Sequence, residues 1–161
     1  MDKPKGNKDL LSQFCVVLTT CFGIGYTVSW GGGTIASLVG LFLYITIKSQ
    51  AAFFVLTIII LILGFSLSGR AEAIFKEKDS KKIVIDDLGG MMVSFLFIPK
   101  HPGFLLATFF LFRAIDCLKI YPINKIEKLP KGAGVVGDDL LAGVYTNILM
   151  QIFRIIFRNI L

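Results

Sequence analysis

Two kinds of reactive side chain are nearly missing from this sequence. It has one histidine, His101, and three cysteines, Cys15, Cys21 and Cys117, with no CxxC pair. A zinc centre draws on several imidazoles and thiolates, so none is expected. An odd number of cysteines within or beside apolar stretches gives no disulfide framework, and the three are read as buried thiols. Charge is missing over long distances too, with none from Leu10 to Ile47 and none from Ser49 to Gly69. An ordinary soluble domain is excluded by 55% hydrophobic residues and a mean hydropathy of +0.76. The second of these runs is about 20 residues, which at ~1.5 Å per residue matches a hydrocarbon core of ~30 Å.

What charge there is collects in a few places. The formal net charge of +6 suits an anionic lipid surface better than nucleic acid in so apolar a chain, and no nucleic-acid partner is expected. Residues 1–9 form a basic tail with Lys3, Lys5 and Lys8, followed by no A-x-A-like cleavage site, and the tail is read as retained. Arg70, Lys76, Lys78, Lys81 and Lys82 beside the apolar run mark a cytoplasmic side, shared by the N-terminus and residues 113–139.

The expected fold is all-α: a single domain over 1–161, an integral membrane bundle with four or five spanning segments. A helix near 10–22 leads into a segment from Phe22 to Thr34 with five glycines, read as a re-entrant or interfacial loop. Thr34 is placed to cap the helix that runs on to Ile47. The glycines offer a weak phosphate cradle, without the GxxxxGK[ST] spacing of a P-loop. Residues 88–98 and 104–112, broken at Pro99 and Pro102, span only if polar ends lengthen them back to Lys82 and on to Lys119. A last helix covers 140–156, with Arg154 and Arg158 snorkelling to headgroups.

Against this background the acids stand out. Asp86-Asp87 precedes Leu88-Gly89-Gly90, and Asp138-Asp139 precedes Leu140. One Asp satisfies a helix N-terminus; a pair, occurring twice, exceeds that need. Adjacent ionised carboxylates near a low-dielectric medium call for a cation. The expected topology brings Asp79, Asp86, Asp87, Asp116, Asp138 and Asp139 to one face of the membrane. Arg113, Asp116 and Lys119, three residues apart, lie near one helix face; they form either a structural salt bridge or a grip on phosphate, with Asp116 binding metal or orienting Arg113. Carboxylates with Arg and Lys, but without a usable His or Cys nucleophile, suggest magnesium-assisted phosphate chemistry on a membrane phospholipid. HCxxxxxR and DGxxAR are both absent, as is any set of histidines.

In order and spacing, FGIGYTVSWGGGTIASL, DSKKIVIDDLGGM, FFLFRAIDCLKIYPI and KGAGVVGDDLLAGVY resemble the phosphatidylglycerophosphatase A family, over about Phe22 to Tyr145. The last two motifs are the most specific. The resemblance implies a Mg2+-dependent phosphatase of the bacterial inner membrane with its site facing the cytoplasm, converting phosphatidylglycerophosphate to phosphatidylglycerol. On that reading Asp86, Asp87, Asp138 and Asp139 hold the metal, Asp86, Asp87, Arg113, Asp116 and Lys119 are catalytic, and Thr34, Ser37, Arg113, Lys119 and Lys131 hold substrate. Asp87 stands where Glu is usual, and Gly32 where Pro is usual. The competing class is a non-enzymatic small membrane subunit, or an ion-conducting helical protein that uses the acidic pairs.

Overall fold

The computed structural model describes residues 6–27, 31–78, 80–127, 129–130 and 132–157. Eight helices run through them: α1 (Gly6–Thr19), α2 (Ile24–Thr27), α3 (Gly32–Thr46), α4 (Gln50–Phe75), α5 (Ile85–Ser94), α6 (Pro102–Leu118), α7 (Ile123–Ile126) and α8 (Ala133–Phe157), with no strand among the described residues. The short helix α5 is central, packed against α3, α4, α6 and α8, while α1 lies along α4. Met91, Met92 and Phe95 are fully buried, and the Phe95 ring stacks on Tyr44 at 5.0 Å.

Polar backbone at the ends of a buried helix must find partners. The C-terminal end of α5 receives them from one face of α8. Asn147 Nδ2 donates to the Ser94 and Leu96 carbonyls at 3.0 and 2.8 Å, Gln151 Nε2 donates to Leu96 at 3.2 Å, and Arg154 Nη1 donates to Phe97 at 3.1 Å. Arg154, expected only to snorkel, thus also braces this turn; Arg158 lies outside the described residues. At the other end, Val84 N donates to the Thr19 carbonyl at 2.9 Å, tying α1 to the entry of α5.

Three expectations change. The helix expected to reach back to Lys82 begins at Ile85 and ends at Ser94, so its ten residues, enclosed by protein, span only ~15 Å. Two helices, α4 and α8, have the length and apolarity to cross; α3 and α6, at 15 and 17 residues, are shorter. The outward side chains of α4, among them Val55, Ile58, Ile59 and Ile62, and of α8, among them Ile148, Leu149 and Ile152, are exposed, as helices facing lipid require. Second, α3 starts at Gly32 with Gly31 as its cap, so Thr34 lies inside the helix and does not cap it. Third, α8 starts at Ala133, seven residues before the expected boundary, which puts Asp138 and Asp139 in its second turn, where capping does not explain them. Residues 28–30 of the glycine segment lie outside the described residues.

The close approach of α5 and α8 rests on glycine. A Cβ on Gly143 would overlap the Gly90 carbonyl, and one on Gly90 would overlap the Asp139 carbonyl. Gly143→Val is therefore expected to force the helices apart and lower thermal stability in detergent by at least ~1–3 kcal/mol. Gly103→Ala, whose Cβ would meet only the His101 ring at 3.4 Å, should leave the melting curve unchanged. A wild-type melting curve for Gly143→Val would contradict this packing.

Candidate active site

The crossing of α5 and α8 brings two acidic pairs that are 52 positions apart in the sequence to one cavity. About 360 Å³ in volume, it is lined by Gly32, Gly33, Ser80, Lys81, Ile83, Asp86, Asp87, Arg113, Asp116, Cys117, Lys119, Asp138 and Asp139. Of the six aspartates expected on one face, five line it, and Asp79 lies outside the described residues.

Within the cavity the carboxylates divide into two groups. Asp86, Asp87 and Asp139 each offer an oxygen, and these oxygens lie within 4.8 Å of one another. Oxygens in one octahedral magnesium shell, at ~2.0–2.1 Å from the ion, are about 3–4 Å apart, so a small contraction closes this trio on such an ion. Asp86 Oδ1 is buried and has no hydrogen-bond partner among the described residues. A buried carboxylate oxygen left in that state is costly without a cation. The donor set therefore fits a hard divalent metal.

Asp138, the fourth expected ligand, is placed differently. Its Oδ2 accepts from Lys119 Nζ at 3.1 Å and its Oδ1 accepts from Asp139 N at 3.0 Å, and it is not among the three aspartates whose oxygens converge. Lys119 follows α6 in the left-handed conformation, with φ of 44°, and also pairs with Glu127 at 2.9 Å. Burial works against its charge, but the hydrogen bonds it donates to Glu127 and Asp138 prevail and hold the ammonium above the usual lysine range. Lys119 stays protonated and joins the end of α6 to α7 and α8.

Arg113 Nη1 bonds to Asp87 Oδ1 and pairs with Asp116 Oδ2 at 3.0 Å. Asp116 thus holds the guanidinium from its own helix while Asp87 meets it from α5. The i,i+3 spacing supports both readings made from the sequence, since the same arginine braces the helix and faces the cavity.

The other expected substrate residues are not gathered here. Thr34 is exposed and Ser37 is completely buried, and neither lines the cavity; Lys131 lies outside the described residues. The first loop contributes Gly32 and Gly33 instead, because a Cβ at Gly33 would overlap the Asp87 carboxylate. Sequence reasoning missed Lys81, Ser80, Cys117 and Glu127. Lys81 was visible in the basic run and was read only as a topology signal. Cys117 is exposed on the cavity, contrary to the buried thiol expected, whereas Cys15 and Cys21 are buried. Burial, with the Asp86 and Asp87 charges, pushes the Cys21 thiol up to about 12, leaving it inert.

Carboxylates poised for a cation, flanked by cations suited to anionic oxygens at the edge of a lipid-length helical bundle, define a class: enzymes acting on phosphate esters of lipids. The comparisons with known proteins fix the family. A profile described as Phosphatidylglycerophosphatase A matches residues 17–154. A protein of Haemophilus influenzae named Phosphatidylglycerophosphatase A is 33% identical over 139 residues, covering 83% of this chain and 85% of that protein. One of Bacteroides thetaiotaomicron, provisionally named phosphatidylinositol-3-phosphatase, is 28% identical over 148 residues, covering 86% and 92%. No solved structure matches the chain. The chain belongs to the phosphatidylglycerophosphatase A family and is a phosphoric monoester hydrolase acting on phospholipid.

Gly33→Ala tests the geometry. The added methyl should displace the Asp87 carboxylate and cut phosphatase turnover by about a hundred-fold, with the helical circular-dichroism signal retained. Thr34→Ala, at the exposed neighbouring position, should stay near wild type. Full turnover in Gly33→Ala would show that the Asp87 position is not needed.

Proposed function

We propose that this protein removes the terminal phosphate of phosphatidylglycerophosphate to give phosphatidylglycerol, with Mg2+ as cofactor, at the cytoplasmic face of a bacterial inner membrane that its helices cross several times. The observation that carries the metal dependence is the trio of Asp86, Asp87 and Asp139, the first and last buried, with the Asp86 oxygen that has no partner among the described residues. The cytoplasmic orientation is supported by the basic residues that cluster at the cavity end of the chain.

In this reading Asp86, Asp87 and Asp139 would hold the ion. When bound, Mg2+ supplies Lewis-acid polarisation of a phosphate oxygen and lowers the pKa of water. Arg113 binds phosphate oxygens with the N–H groups not taken by Asp87 and Asp116, and Asp116 fixes the orientation of that fork. Lys119 offsets negative charge as the P–O ester bond breaks, anchored by Asp138 and Glu127. Lys81 brings a third cation to the cavity. Leu118, Ile120 and Tyr121, exposed beside the cavity residues Cys117 and Lys119, give an acyl chain an apolar surface to lie on while its headgroup enters.

A second substrate is favoured by one observation, the name of the Bacteroides relative, which points to an inositol phospholipid phosphate. Purified protein should release phosphate from phosphatidylglycerophosphate faster than from phosphatidylinositol 3-phosphate, and chelation of magnesium should abolish the release. The reverse preference would transfer the assignment to the inositide.

Variants separate the roles. Asp86→Asn and Asp139→Asn should each lower turnover by orders of magnitude without unfolding the protein. Arg113→Lys keeps the charge and loses the planar fork, so catalytic efficiency on the lipid should fall roughly ten-fold or more while the magnesium dependence changes little. Unchanged efficiency in Arg113→Lys would remove Arg113 from phosphate binding.

A further inference from the structure

The end of the bundle remote from the active site holds a second polar cavity, of about 340 Å³, lined by Gln50, Phe97, Ile98, Pro99, Lys100 and Arg154. Neither Lys100 nor Arg154 has an ion-pair partner among the described residues, and no Asp or Glu stands from Leu10 to Ala71, from Leu88 to Ile115, or from Leu140 to Leu161. Lys100 Nζ gives one hydrogen bond to the Ile47 carbonyl at 2.6 Å and lies 4.9 Å over the Tyr44 ring, which offers it no counter-charge, and Arg154 gives one hydrogen bond to Phe97. An ammonium has three donors and a guanidinium five, so each retains donors for an anion.

The third polar group has the opposite need. Gln50 Nε2 donates to Tyr44 Oη at 3.0 Å, and the Tyr44 hydroxyl donates to the Ile98 carbonyl, which fixes the amide. Gln50 Oε1 is then left buried with no donor. Among the described residues, two cations without a counter-charge and one acceptor without a donor specify a complementary ligand: a phosphate carrying a hydroxyl. An ammonium headgroup would also satisfy Gln50, but Lys100 and Arg154 repel it. Phe97 and Phe54, exposed with ring centroids 6.4 Å apart, flank the cavity with apolar surface. This surface makes a lipid a better match than free phosphate.

We propose that this cavity binds the headgroup of an anionic, hydroxyl-bearing phospholipid in the leaflet opposite the active site, its phosphodiester on Lys100 and Arg154 and a headgroup hydroxyl donating to Gln50 Oε1. The inference does not depend on which phospholipid the active site cleaves.

Native mass spectrometry of the full-length protein, carrying Arg113→Ala to weaken headgroup binding at the active site, tests it. The probes are phosphatidylglycerol, phosphatidylmethanol, which lacks the hydroxyls, phosphatidylethanolamine and inorganic phosphate. Phosphatidylglycerol should bind tightest. Lys100→Gln and Arg154→Gln, which remove each charge, should weaken that binding at least ten-fold while the helical circular-dichroism signal is retained. Gln50→Leu should erase the preference for phosphatidylglycerol over phosphatidylmethanol. Unchanged binding in both charge variants would overturn the proposal, as would displacement of the lipid by inorganic phosphate at equal concentration.

Discussion

The structure depends on a repulsion that it builds on purpose: three carboxylates held together at the crossing of two helices. With their oxygens within 4.8 Å, each ionised pair repels by about 3 kcal/mol at an effective dielectric of ~20. Arg113 relieves part of this at Asp87, and nothing in the hydrogen bonding relieves Asp86 Oδ1. The glycines at 90 and 143 are what permit the backbone of α5 to approach α8 so closely. A close glycine contact between two helices thus holds like charges together, a donor set that fits a cation.

That arrangement explains the rest of the architecture. Two of the three carboxylates sit on a helix, α5, that is short and enclosed by protein, while α4 and α8 present apolar side chains outward. A short buried helix leaves carbonyls without partners, and Asn147, Gln151 and Arg154 supply the donors. One helix, α8, therefore contributes Asp138 and Asp139 near its start and closes α5 near its end. The cations form a second ring: Arg113 tied to α5, and Lys119 tied to α7 and α8.

Much of this was legible in the residues. The helical class, the break in the glycine segment and the convergence of the aspartates follow from hydropathy and from paired acids, which are local signals. What the residues do not spell out is three-dimensional. A 10-residue helix and a spanning segment lengthened by polar ends look alike in sequence, because burial by neighbouring helices and burial in lipid select the same side chains. Asp138 and Asp139 are adjacent and chemically identical, yet successive residues on a helix point about 100° apart, so one meets Lys119 and the other joins the trio. Thr34 looked like a cap because the helix was taken to begin after the glycines, whereas it begins within them.

The division between those two neighbouring aspartates is the central claim, and a binding measurement that needs no substrate tests it most directly. Titration of purified, metal-free protein with Mn2+ as a paramagnetic stand-in for Mg2+, followed by electron paramagnetic resonance, reads affinity for the ion alone. Loss of tight binding in Asp139→Asn, with binding close to wild type in Asp138→Asn, is the result predicted by a site built from Asp86, Asp87 and Asp139. Equal loss in the two variants, or retention in both, would contradict it.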